Sequence, residues 1–391
     1  MKREGEELRA LRSEVRAFLD AELDPDLRAR LRRGEFPRRQ DLVDWQRKLC
    51  RRDWGAPNWP RELGGTGWSD IEQLVFLEEC SAAPAPAPHV FNITMLGPVL
   101  VRFGAPAQRD FWLPRLLSAD VLFCQGFSEP GSGSDLASLR TSAVRDGGEY
   151  VVHGQKIWTT SAHYADWIFC LVRTDPAAKQ QRGISFLLID MKSPGITVRP
   201  IVSIDGRHSL NEVFFDGVRV PAANLVGEEN KGWDCARFLL GNERASIAGV
   251  GRTRERLAYA RELASRTATG SGLLADDPLL RAELDRLEAE LEALDRTQYR
   301  LLSQQDAGPA KVAGASVLKV KGTELFQRVL HLLVQITATA GLRLPADEGF
   351  GADPREPLGV AHLYSRAASI YGGANEVQKN ILAKHVFDTT P

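Results

Sequence analysis

Two short stretches of this chain carry residue types that do chemistry once they are brought together. The first is Ser128-Glu129-Pro130-Gly131-Ser132-Gly133-Ser134-Asp135, and the second is Gln155-Lys156-Ile157-Trp158-Thr159-Thr160. Glycines let a backbone approach a ligand closely, and successive N–H groups form a concavity that holds an anion. The hydroxyls of Ser128 and Ser134 add neutral donors. In the second stretch the Trp158 indole offers a face for a planar ring, with Thr159 and Thr160 as hydrogen-bonding groups for its polar edge. Taken singly, a Gly/Ser cluster is an ordinary turn and a tryptophan is ordinary core. Their pairing, within a segment that otherwise reads as strands, points to a flavin site.

The elements that must position these residues fall into three segments, over 1–120, 121–232 and 233–391. In the first, apolar residues recur at helical spacing, as in Leu8, Leu11, Val15 and Phe18 and again at Leu74, Val75 and Leu77, with Pro84-Ala85-Pro86-Ala87-Pro88 interrupting. This predicts an α-helical domain. The second is made of short runs rich in Val, Ile, Phe and Thr, separated by Asp-Gly, Gly-Gly and Pro-Gly, which predicts an antiparallel, β-barrel-like domain. Its clearest hairpin is at Asp146-Gly147-Gly148. The third is periodic over 233–266, 277–305, 310–340 and 375–387, enough for an antiparallel helical bundle. The fold class is therefore α+β.

Composition narrows the function. The net charge of −1 gives no electrostatic reason for a nucleic-acid or anionic-membrane partner. No apolar run is long enough to span a bilayer, and the opening Met1-Lys2-Arg3-Glu4 lacks the apolar core of a secretory signal. Cys50, Cys80, Cys124, Cys170 and Cys235 show neither metal-type nor redox-type spacing, and the histidines form no ligand pattern. The expectation is a cytoplasmic enzyme without a metal.

As they stand, the two motifs resemble those of the acyl-CoA dehydrogenase family of flavoproteins. The resemblance extends through Phe186-Leu187-Leu188-Ile189-Asp190, the run from Asn211-Glu212-Val213-Phe214-Phe215 to Pro221, Asn224-Leu225-Val226-Gly227 and Ile370-Tyr371-Gly372-Gly373-Ala374-Asn375-Glu376-Val377-Gln378, nearly the whole chain. Within the family the chain is most similar to the large component of pimeloyl-CoA dehydrogenase. The resemblance implies FAD as cofactor, an acyl-CoA or acyl-carrier-protein thioester as substrate, electron-transfer flavoprotein as electron acceptor, and an oligomer. It places Gln125, Phe127, Ser128, Gly133, Ser134, Trp158, Thr159, Thr160, Arg266, Gln335, Ala374 and Glu376 around the cofactor. Phe91, Met95, Ser134, Arg244 and Tyr371 fall near the substrate, with Phe91 shortening the far end of the acyl pocket; Phe91 and Met95 also suit ordinary core.

Dehydrogenation between the α and β carbons needs a base for a weakly acidic α-proton and a donor for the thioester oxygen. Much of the family carries its base directly after the tyrosine of the C-terminal loop, where this chain has Gly372. Glu243 is the alternative. It falls in the stripe Trp233, Ala236, Leu240, Ile247, Val250, and lost hydration there raises a carboxyl towards the range useful for a base. Some branches of the family carry the base in a Glu-Arg pair on this helix, which Glu243-Arg244 matches; a buried salt bridge with no chemical role is the competing reading. Gly372 keeps the backbone N–H that the family uses for the thioester oxygen. Asn375 and Gln378 have capping-box spacing, which predicts a helix start.

Departures from the family pattern cluster where a neighbouring subunit normally reaches the ADP half of the flavin. Arg266 is followed by Thr269 in place of an aromatic, Ala374 lacks the usual hydroxyl, and Ala338-Thr339 stand after Gln335 where paired glycines are common. A heteromer in which a second chain supplies the intact contacts is one reading, a homo-oligomer the other. The competing functions are a flavin oxidase or monooxygenase on the same fold and a catalytically silent partner subunit.

Overall fold

A computed structural model of the chain describes residues 5–242, 248–270, 272–303, 309–337 and 357–387. Helices α1 (Glu6–Glu22), α2 (Pro25–Arg32), α3 (Arg39–Arg51), α4 (Asp70–Ala82), α5 (Gly97–Phe103) and α6 (Pro106–Leu117) come first. Their starts follow from sequence. Asp24 caps α2 ahead of Pro25, and Ser69 with Glu72 forms a reciprocal capping box at α4.

The central sheet has eight strands: β1 (Phe123–Gly126), β2 (Ser142–Asp146), β3 (Glu149–Lys156), β4 (Trp167–Arg173), β5 (Ile184–Asp190), β6 (Ile196–Val202), β7 (His208–Pro221) and β8 (Leu225–Val226). Their order is β6-β7-β3-β2-β4-β5-β8, with β1 beside β4. Two features differ from the expected antiparallel barrel. Strands β1 and β2 both pair with β4 in parallel, and the sheet does not close, because no strand among the described residues joins β6 to β8. Parallel entry of β1 sends the chain off the sheet edge at residue 127, directly into the glycine-rich loop. The hairpin at 146–149 forms as expected, with Asp146 opposite Glu149 and Gly147 at φ +60°.

Helices α7 (Gly232–Asn242), α8 (Val250–Ala264), α9 (Pro278–Leu302), α10 (Pro309–Thr337), α11 (Pro357–Tyr364) and α12 (Asn375–Val386) complete the chain, with a two-stranded ribbon of β9 (Ala268–Thr269) and β10 (Gly272–Leu273) after α8. The periodic segment 233–266 is not one helix. Gly249, at φ +60°, starts α8 in a conformation that interrupts helix geometry. Nor does the whole predicted stripe face inward: Cys235, Ala236 and Leu239 are buried, whereas Leu240 is 42% exposed. Asn375 and Gln378 do not cap α12. Ala374 is the N-cap residue; Asn375 Nδ2 donates to Thr323 Oγ1 at 3.1 Å, and Gln378 Oε1 accepts from Ser316 Oγ at 2.7 Å.

The sheet, α5, α6, α7 and a π-helical segment (Val90–Leu96) share one core containing Leu96, Trp112, Phe123, Phe169, Phe186 and Leu239. Where the π-segment runs into α5 the chain packs so closely on Trp59 that a Cβ at Gly97 would sit 2.0 Å from its ring, so only glycine fits. Asn92 ties it to β1, donating to Val121 O at 2.7 Å and accepting from Phe123 N at 3.0 Å. Arg207, in the β6–β7 turn, ion-pairs with buried Asp205 at 2.7 Å, donates to Gly34 O at 2.7 Å and lies 3.8 Å from the Phe36 ring centroid. Its guanidinium is also 5.5 Å from the Tyr364 ring, so one side chain holds residues from all three segments together.

His89, at the head of the π-segment, is buried with Nδ1 accepting from Asn92 N at 3.3 Å, and burial pushes its pKa down to about 4 from the ordinary 6.5. The folded protein keeps this ring neutral while the unfolded chain protonates it. Its contribution is therefore full above pH 6.5 and lost as the pH falls towards 4, amounting to about 3 kcal/mol. Unfolding midpoints measured from pH 7 to pH 4 should fall less steeply in His89→Gln than in the wild type; equal slopes would assign the acid loss to other groups.

Candidate active site

The two motifs meet where β1 and β3 leave the sheet. Alternation along β3 places Tyr150 and Val152 inward and, beyond a register shift against β7 at residues 152–154 where the extra residue lies in β7, Lys156 inward as well. Lys156 has no exposed surface, and its Nζ lies 2.8 Å from Glu129 Oε1 and 3.1 Å from Phe127 O. Glu129 also accepts from Arg140 N at 2.7 Å and Thr141 N at 2.9 Å. Burial alone would raise this carboxyl, but Lys156 and the backbone donors hold it below the usual carboxylate range. Ile157 N donates to Ser128 O at 3.0 Å, a second tie between the loop and the strand exit.

Within the loop, Glu129 and Ser132 exchange backbone hydrogen bonds at 2.9 and 3.0 Å, and Ser132 Oγ donates to Asp135 O at 2.8 Å. These bonds fix the inner edge. The outer edge is open: among the described residues, none apart from the chain neighbours comes within 4 Å of where a Cβ would stand at Gly131 or Gly133, and Gly133 and Ser134 are exposed. Gln125 in β1 and Ser128 are half-buried, whereas Phe127 lies in the core, its ring 5.8 Å from that of Phe169.

Trp158 adopts φ +60°, a costly conformation for a bulky residue, and its indole is 57% exposed. Ser161 is likewise left-handed at φ +65°. Between them Thr160 is half-buried and Thr159 is buried, its hydroxyl without a hydrogen-bond partner among the described residues. An exposed indole on a fixed, strained turn, beside an open loop of backbone donors and an unused hydroxyl, fits a planar ring with a polar edge and an anionic tail.

On the C-terminal side, buried Lys319 of α10 donates to Ala368 O at 2.5 Å and lies 5.8 Å from the Tyr371 ring. This anchors a loop in which Gly372 and Gly373 take φ +64° and +90° and Tyr371 is 51% exposed. Gly372 therefore suits its position conformationally as well as keeping its N–H. Glu376 is exposed in the first turn of α12, and Gln335 is exposed near the end of α10. Arg266 is exposed and ion-paired with Glu262 at 3.0 Å, and Thr269 donates to Gly272 O across the β9–β10 ribbon. Met95 is buried and Phe91 half-buried, its ring 6.4 Å from that of Phe169. Glu243, Arg244, Ala338 and Thr339 lie outside the described residues.

The order of these parts along the chain matches known sequence families. Models for the N-terminal, middle and C-terminal domains of acyl-CoA dehydrogenase match residues 5–120, 124–218 and 230–387. Acyl-CoA dehydrogenase IpdE1 of Mycobacterium tuberculosis is 36% identical over 392 residues, covering 97% of each chain. The chain belongs to the acyl-CoA dehydrogenase family. It is accordingly an oxidoreductase of the CH–CH group, in a family of flavoproteins. Among solved structures, acyl-CoA dehydrogenase similarity is high to the ChsE4-ChsE5 complex from Mycobacterium tuberculosis, with TM-score 0.86 and 33% identity over 100% of both chains. It is also high to the Tcur3481-Tcur3483 steroid ACAD, with TM-score 0.84 and 32% identity over 99% of each chain. None of the described helices is long and apolar enough to cross a membrane.

Lys156 and Glu129 stand inside the two motifs, but residue type and spacing alone assign neither of them a role. The signal available was the alternation of β3, which puts position 156 on the same face as Tyr150 and Val152.

Proposed function

We propose that this acyl-CoA dehydrogenase binds FAD against Trp158 and converts a bulky, ring-bearing acyl-CoA to its 2-enoyl thioester, with Glu243 taking the α-proton. The observation that carries the reading is the exposed Trp158 indole, held on a strained turn that the buried Lys156–Glu129 pair ties to the open glycine-rich loop. Bound FAD supplies the two-electron acceptor for the hydride leaving the β-carbon. Thr160 and Ser128 would hold the ring edge, the loop N–H groups and Ser134 would hold the tail, and the Gly372 N–H would donate to the thioester oxygen. Arg244 and Tyr371 orient the acyl thioester, while Phe91 and Met95 set the depth of the acyl site.

The ring-bearing substrate class is carried over from the steroid-type neighbour. A second chain as partner is supported by the two-protein assemblies named for both neighbours and by Thr269 and Ala374 in this sequence. Electron-transfer flavoprotein is the acceptor that the family reading supplies. On anaerobic addition of acyl-CoAs, the flavin absorbance should bleach faster with ring-bearing thioesters than with pimeloyl- or straight-chain ones, for the chain alone or with its partner. Preference for a straight chain would overturn the substrate class, and a flavin-free chain would favour the silent-partner reading.

A further inference from the structure

Behind the Trp158 turn lies a polar relay that no part of the reaction uses directly. Asn211, in β7, has no exposed surface. Its backbone O accepts from Thr159 N at 3.0 Å, and its side-chain Nδ2 donates to Thr159 O at 2.9 Å, so one residue holds the two successive peptide units that flank the Thr159 Cα. Nδ2 is also 3.2 Å from His163 Nδ1, and Oδ1 is 2.8 Å from His208 Nε2.

Because Thr159 O can only accept, the amide orientation is fixed and every role follows. Nδ2 spends its two hydrogens on Thr159 O and His163 Nδ1, so His163 is neutral with its proton on Nε2. Oδ1 must accept, so His208 carries a proton on Nε2. Partial desolvation of its ring, and then the facing His208 ring at 4.3 Å, hold His163 below its ordinary pKa, in keeping with its role as acceptor. The turn served by this relay contains two left-handed non-glycine residues, Trp158 and Ser161, and Ser161 N is held by Ser209 O at 3.0 Å. Such conformations persist only where surrounding contacts over-determine them.

We propose that Asn211, held by His208 and His163, is the positioning residue for the flavin-facing Trp158–Thr160 turn. The inference rests on the proposed flavin reading and goes beyond it, since none of the three side chains need touch the cofactor. Removing the Asn211 side chain leaves Thr159 N bonded to the residue 211 carbonyl but frees Thr159 O, which loosens the turn and lets the indole leave its strained setting.

The test uses the full chain stripped of flavin and reloaded with FAD. In Asn211→Ala, FAD affinity by fluorescence should fall by more than about tenfold. The visible flavin spectrum and reduction potential should shift, while the KM for an acyl-CoA changes less than kcat. His163→Ala and His208→Ala alter exposed rings, keep the fold if Asn211→Ala does not, and should each weaken FAD by about three- to tenfold. Wild-type affinity, spectrum and potential in all folded variants would overturn the inference while leaving the flavin reading intact. A wild-type chain, alone or with its partner, that binds no FAD would overturn the flavin reading itself.

Discussion

Glu243→Gln is expected to lower the rate of flavin reduction by an acyl-CoA by about 10²–10⁴-fold, the usual worth of a positioned general base, while FAD stays bound. The glutamine keeps the size of the side chain and removes only its basicity. The expectation rests on two facts about the chain. The position after Tyr371 is a glycine and offers no carboxylate, and Glu243 directly follows α7, whose Cys235, Ala236 and Leu239 are packed into the central core. Stopped-flow reduction under anaerobic conditions measures the effect. Wild-type rates in Glu243→Gln would place the base elsewhere, and parallel loss of FAD would make Glu243 a structural residue.

The second large effect concerns stability. Lys156→Met leaves the Glu129 carboxylate buried with only backbone donors, and breaking a buried pair in this way costs about 3–5 kcal/mol. Because that pair joins the loop at 128–135 to the exit of β3, flavin should be lost together with stability. The double variant Lys156→Met with Glu129→Gln removes the charge from both sides and should recover part of the loss, a coupling that thermal unfolding of the four proteins measures. Additive losses would show that the two groups do not act as a pair.

Much of this architecture is legible in the residues. Helical spacing, the Val/Ile/Phe-rich runs and the Asp146-Gly147-Gly148 turn announce the order of helices, sheet and helices, and the spacing of the two motifs announces a site where they meet. Other features depend on contacts distant in sequence. Glu129 and Lys156 are 27 residues apart and become partners only through the parallel entry of β1 and the inward turn of β3. Asn375 looks like a helix cap locally, yet its amide is taken by Thr323, 52 residues away. Gly249 breaks a periodic segment because a single left-handed residue leaves the apolar repeat on either side unchanged. The open sheet was hidden for a similar reason: alternation along each strand is the same whether or not the first and last strands pair.

The central claim, α,β-dehydrogenation coupled to flavin, is tested most directly by product stoichiometry. The purified chain, with its partner if it has one, is mixed anaerobically with an excess of the acyl-CoA that bleaches it fastest, and the thioesters are separated by mass. The account predicts one 2-enoyl-CoA, two mass units lighter than the substrate, for each flavin reduced. Reduced flavin without enoyl product, or an oxygenated product formed only on admitting air, would contradict it and favour an oxidase or monooxygenase.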